Sequence, residues 1–226
     1  MELKPQPKHI SVMTMQPFSK QALQECWAKE KISAPEKIVI ISKSGAGSSS
    51  QLKQLERYLA GTKTHFFSCG DEMRARQKEL GFPTIGDFIA HIKAHPEEGH
   101  DEWLDANIQR IGQEHDRLVI EGRLPHILVP SAFTVYLDCS PQTRAERRRK
   151  QLREEQRVII SWEKCLKNIV TRDTDDWGRN SPRYPGYDWR PEDFDFVIST
   201  EFMPKEEVAH WILEAYRKWL ARGMRT

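Results

Sequence analysis

The chain has 226 residues, long enough for one large domain with a sizeable core, and its 35 basic and 33 acidic residues leave a formal charge of +2. So balanced a charge argues against a polyelectrolyte partner such as nucleic acid. Four scattered cysteines, Cys26, Cys69, Cys139 and Cys165, form no CxxC pair, which argues against a disulfide framework or a cysteine zinc cluster and for reduced thiols in a cytoplasmic setting.

In chain order, residues 1–16 lack periodicity and read as a loose arm, with no apolar run that would make a leader or a membrane span. Phe18, Ala22, Leu23, Cys26 and Trp27 fall at helical spacing and predict an amphipathic helix over 17–30. Ser33, Ala34 and Pro35 break the pattern. Residues 1–36 are therefore expected to be an extension, its helix packed on the domain or on a second copy in a homodimer. From Lys37 to the end one domain is expected. Short apolar runs at 37–42, 64–67, 117–122, 133–138 and 194–200 predict five strands. Helical patterns lie between and after them at 49–60, 71–80, 84–94, 101–114, 141–156, 157–173 and 204–222. The last carries a clear stripe of Val208, Trp211, Ile212, Ala215, Tyr216 and Trp219. Strands buried on both faces and separated by helices imply an α/β fold with a mainly parallel sheet. Ligands of such sheets bind beyond the carboxyl ends of the strands.

Three strand ends carry chemistry. After the first, IVIISKSGAGSSSQL breaks into small residues, Ser42, Lys43, Ser44, Gly45, Ala46, Gly47, Ser48, Ser49 and Ser50, and then returns as a helix. Gly45 and Gly47 permit positive φ and a close approach to an anion, and the following helix N-terminus favours phosphate. The three serines are candidate caps for that helix. Against the GxxxxGK[ST] pattern, Ser42 stands at the first glycine, Ser48 at the lysine and Ser49 at the metal-binding hydroxyl. A small-residue turn without a ligand is the competing reading. The third strand delivers Glu121, a candidate Mg²⁺ ligand, and Arg123, a candidate phosphate clamp, on either side of Gly122. A loop salt bridge is the plain alternative.

In NIVTRDTDDWGRNSPRY the apolar positions Val158, Trp162, Cys165 and Ile169 continue in the same stepping as Arg172, Asp176 and Arg179. A surface ion ladder would explain this; so would two guanidiniums set to neutralise phosphates, with a carboxylate between them. Pro182, Pro185 and Gly186 end the helix, as suits the edge of a lid over roughly 150–190. Gly70 and Arg74 follow the second strand. In SPQTRAERRRKQLREEQR, Arg144, Arg147 and Arg148 are candidate contacts for nucleotide phosphates or adenine.

Taken in order, FSCGDEMR, VIEGRL, YLDCSPQTRAERR and RDTDDWGR resemble the cytidylate kinase-like nucleoside monophosphate kinases over roughly residues 37–215. The resemblance implies a P-loop fold transferring the γ-phosphoryl of ATP to CMP or dCMP with Mg²⁺. Arg123, Asp176 and Arg179 would then contact the acceptor, together with Gly70 and Arg74; Arg172 and Arg179 would neutralise charge during transfer. Ser49 and Glu121 would place the metal, and residues 42–50 with Arg144 would hold the donor. The chain departs from the family at Ser42, at Leu124 in place of an acidic residue, and at Ser48, where Lys43 is the candidate substitute cation. Two other readings stay open: a P-loop kinase of another small acceptor, and a nucleotide-binding pseudokinase that senses or scaffolds.

Overall fold

The computed structural model describes residues 36–155, 158–185, 187 and 189–223. The expected arm and helix of residues 1–35 lie outside the described residues. Five strands, β1 (Glu36–Ser42), β2 (His65–Ser68), β3 (Arg117–Gly122), β4 (Phe133–Asp138) and β5 (Phe196–Ser199), form one sheet in the order β2-β3-β1-β4-β5. Every pair is parallel, with Ile38 opposite Val119 on one side of β1 and Phe133 on the other. The central position of β1 follows from its sequence. Ile38, Val39, Ile40 and Ile41 are all at most 1% exposed, and only a strand covered on both faces can hide four successive apolar side chains.

Eight helices among the described residues cover the sheet and its carboxyl edge: α1 (Ser48–Tyr58), α2 (Cys69–Glu79), α3 (Ile85–Ala94), α4 (His100–Glu114), α5 (Pro125–Leu128), α6 (Pro141–Glu155), α7 (Trp162–Asn180) and α8 (Lys205–Gly223). One core packs Ile38, Ile40 and Val135 against Leu52 and Leu55 of α1 and the Val208–Trp211–Ile212–Ala215–Tyr216 stripe of α8. The opposite core joins Val39, Ile41 and Ile120 to Ile108 and Ile111 of α4, Leu128 and Phe194. A separate small core, Met73, Phe88 and Ile92, ties α2 and α3 together beside α4. None of the described helices is long and apolar enough to cross a membrane.

Most expected bounds shift by one or two residues, and three departures from the sequence pattern have a visible cause. The helix expected over 157–173 runs from Trp162 to Asn180, because the Ser161 hydroxyl accepts the Lys164 N–H at 3.2 Å and starts the helix there. Val158 therefore precedes the helix and is 46% exposed. The strand expected from 194 begins at Phe196, since Asp195 turns aside to accept the Thr134 N–H and hydroxyl, both at 2.8 Å. The short helix α5 was not expected; it is a single turn begun by Pro125, whose fixed φ suits a first helical position.

Gly122 ends β3 against α2. A Cβ there would lie 2.6 Å from the Cys69 Sγ, 2.9 Å from its Cβ and 3.1 Å from the Pro125 Cδ. Gly122→Ala is expected to lose about 1–3 kcal/mol through overpacking, read from the urea midpoint; an unchanged midpoint would show that the strand end can yield.

Candidate active site

The loop that joins β1 to α1 is shaped by two glycines. Gly45 (φ 86°) and Gly47 (φ 110°) take left-handed conformations. A side chain at Gly45 would press on the Arg144 backbone at 3.1 Å, whereas the space above Gly47 is open for 4 Å. The Lys43 carbonyl accepts the Ala46 N–H at 3.1 Å and closes the turn. Lys43 itself is exposed, and among the described residues its ammonium forms no ion pair. Gly47 is the N-cap of α1, with no side-chain cap and no acidic residue in the first turn, so the amide donors there are available to an anion. The expected serine caps are thus not formed: Ser48 and Ser49 turn their hydroxyls towards β3, and Ser50 lies exposed in the first turn.

What they meet is Glu121. This carboxylate is 4% exposed and accepts hydroxyls from Ser48 at 2.7 Å, Ser49 at 3.1 Å and Ser68 at 2.6 Å. Ser68 also caps α2 by accepting the Asp71 N–H. A carboxylate beside an exposed hydroxyl is a hard oxygen donor set, and it fits Mg²⁺.

Arg123 connects this region to α7. Its guanidinium donates to the Ser42 carbonyl and, through Nε, to Asp176 at 2.9 Å, with the Trp189 ring 5.7 Å away. Burial works most strongly against its charge, but Asp176, Tyr187 and Glu121 together outweigh burial and the Arg123 pKa is raised. Arg179 stands 3.6 Å from Asp176 and 3.4 Å from Asp101. Arg123, Asp176 and Arg179, singled out in the sequence, therefore share one cluster. Arg172 lies on the same helix, exposed, and makes no ion pair among the described residues. Protein packed around its guanidinium, then the neighbouring charge of Arg123, lowers its pKa, while Asp176 pulls the other way. Arg74 is half exposed and folds back over Gly70 to Asp71 at 2.5 Å.

Arg144 occupies a different place from the one expected of a solvent-facing nucleotide contact. It is 2% exposed and holds the Ser44 carbonyl at 3.0 Å and Asp173 of α7 at 2.8 Å, so it supports the loop from beneath. Arg147 is likewise turned inward, onto the Thr200 hydroxyl and carbonyl, and Arg148 pairs with Gln151 at 2.8 Å.

Sequence reading missed the residues that face this cluster. Asp101 and Asp105 face Arg179 and Arg183; Arg183 pairs with Asp101 at 3.5 Å and with Asp105, which also accepts the Tyr184 hydroxyl. The available signal was an acidic pair four residues apart and a basic pair four residues apart, which only the fold brings together. A cleft of about 280 Å³ lies there, lined by Lys93, Asp101, Asp175, Arg179 and Arg183 among others.

Comparison with known proteins bears on the family and the fold. A profile described as cytidylate kinase matches residues 44–218. A cytidylate kinase of Thermoplasma volcanium is 29% identical over 202 residues, 83% of this chain and all of that one. A cytidylate kinase of Aquifex aeolicus is 34% identical over 100 residues, 43% of this chain and 42% of its own. Among solved structures, shikimate kinase of Acinetobacter baumannii superposes with a TM-score of 0.51 at 14% identity, over 88% of this chain and 98% of that one, a likeness of fold alone. The fold is that of the P-loop kinases, and the chain belongs to the cytidylate kinase family.

Proposed function

We propose that this protein transfers the terminal phosphoryl group of ATP, with Mg²⁺, to a nucleoside monophosphate, and that CMP or dCMP is the preferred acceptor. The observation that carries this reading is the single guanidinium of Arg123, which reaches both the Ser42 carbonyl of the glycine loop and Asp176 of α7. Donor loop and acceptor cluster thereby adjoin, as transfer between two bound nucleotides requires.

In this reading the amides of residues 44–50 hold the donor phosphates, open ground above Gly47 giving them room. Ser49 and Glu121 hold Mg²⁺ directly or through water, and the ion supplies charge neutralisation on the phosphates. Ser48 occupies the usual lysine position, and Lys43, exposed and unengaged by any ion pair among the described residues, supplies the missing positive charge. Arg172 and Arg179 neutralise the charge that spreads over the transferring oxygens. Arg123, with Arg74 swung away from Asp71, binds the acceptor phosphate. Asp176 reads the acceptor base, and Leu124 leaves that reading with one polar contact fewer than in family members that are acidic there. No protein base is needed, because positioning and electrostatics dominate this chemistry. The free buried thiols Cys69, Cys139 and Cys165 suit a cytoplasmic setting.

ADP release measured with ATP and Mg²⁺ across CMP, dCMP, UMP, AMP and GMP tests the reading: selective CDP or dCDP formation is expected. Saturable CMP binding without turnover would replace it with a nucleotide-binding role. Lys43→Ala is expected to lower kcat by about 10²-fold, with an unchanged kcat ruling out the substitute-lysine role. Arg172→Ala should lower kcat by about 10²–10³-fold with little change in the acceptor KM; a rise confined to KM would make Arg172 a binding residue instead. For Asp176→Asn the acceptor series is the readout, and selectivity for CMP over AMP should fall by about tenfold or more.

A further inference from the structure

The segment HIKAHPEEGH, residues 91–100, joins α3 to α4 on the acceptor side and takes no part in the chemistry above. In ten residues it carries three histidines and two glutamates. The backbone turns back on itself through Pro96, which opens a 3-10 turn over Pro96–Glu98, and Gly99, which is left-handed at φ 67°. This brings His91 of the last turn of α3 beside His100, the first residue of α4. Both rings present Nε2 to the same oxygen of Glu98: Oε2 lies 2.8 Å from His91 Nε2 and 3.0 Å from His100 Nε2.

We propose that His91, Glu98 and His100 form a binding site for one divalent transition-metal ion, with Zn²⁺ the best fit. The three ligand atoms all lie within 4.8 Å of one another. Ligand bonds of about 2.0–2.2 Å in a tetrahedron set donor atoms about 3.4 Å apart, so the two Glu98–histidine contacts lengthen by about 0.5 Å to seat an ion. Two imidazoles and one carboxylate are a borderline donor set that suits Zn²⁺ and disfavours Mg²⁺, which prefers oxygen ligands. Phe82 and Phe88 wall the site, their ring centres 4.9 Å from His91 and 5.2 Å from His100, and His100 is 8% exposed. Glu98 lies on the exposed side, where solvent supplies a fourth ligand; His95, its ring 4.5 Å from that of His91, borders the same edge.

A site here bears on the acceptor cleft. His100 lines that cleft and directly precedes Asp101, which pairs with both Arg179 and Arg183. An ion that pins His100 to His91 fixes the start of α4 and with it the carboxylate that positions Arg179.

Calorimetric titration of the chelator-treated full chain with Zn²⁺ tests the proposal independently of kinase activity. One saturable ion per chain is expected, and Co²⁺ in its place should give the visible absorption of a tetrahedral nitrogen–oxygen site. His91→Asn and Glu98→Gln should each weaken binding about tenfold or more. His115→Asn should leave it unchanged, since the His65–His115 stack, with ring centres 3.9 Å apart, forms no part of the ligand set. Glu98→Gln alters only a solvent-facing side chain and decides the matter by itself if His91→Asn does not fold. No saturable binding by the unmodified chain, or equal binding by Glu98→Gln, would overturn the proposal.

Discussion

A carboxylate buried at the end of a β-strand governs this architecture. Glu121 has almost no contact with solvent, and among the described residues no lysine or arginine forms an ion pair with it. A carboxylate so placed costs several kcal/mol unless its oxygens are satisfied. Three serine hydroxyls satisfy them, two from the start of α1 and one from the end of β2. Each such bond to a charged group contributes about 1.5–3 kcal/mol. The glycine loop, the cap of α2 and the end of β3 are thereby held to one point. The hydroxyl at position 48 consequently has a structural partner of its own, so the serine there is part of the loop's support.

Around that point charges alternate in space. Arg123 lies between the Ser42 carbonyl and Asp176, Arg179 between Asp176 and Asp101, and Arg183 between Asp101 and Asp105. Partly buried pairs are screened less than surface ones, so the chain of contacts keeps its geometry in salt. Cations that must receive an anion are best held by carboxylates that can be partly released. Arg172 is the exception: Arg123, Arg148 and Arg74 bear on it against Asp176, and among the described residues it forms no ion pair, which leaves its charge to whatever anion comes between it and the loop.

The fold was legible in the sequence because parallel strands buried on both faces must be continuous apolar runs, and five such runs gave five strands. Boundaries failed where local chemistry overruled spacing. Val158 continued the stripe of α7 by sequence interval, but Ser161 starts the helix after it. The Arg172–Asp176–Arg179 stripe was readable because one helix face carries it. Asp101 and Asp105 were not, since their meaning comes from arginines some 80 positions away and no periodicity crosses that distance. The inward course of Arg144 was not readable for a related reason: in the run RAERRR nothing local distinguishes the guanidiniums of Arg144 and Arg147, which turn inward, from those that stay in water.

The inward turn of Arg144 also sets the mechanics of α7. A helix of 19 residues is about 28 Å long, and Asp173 grips Arg144 a little beyond its midpoint. Arg144 is buried and Asp173 only partly so, and removing Asp173 would leave a buried guanidinium without its carboxylate, which is destabilising. A displacement of α7 that keeps this contact is a rotation about it, with Asp173 as fulcrum. Arg172 sits at that pivot and would hardly travel, whereas Asp176 and Arg179, farther along the arm, would sweep through larger arcs. Of the two arginines proposed for charge neutralisation, Arg172 is thus the one such a displacement would disturb least, and Arg179, with Asp176, the one it would carry.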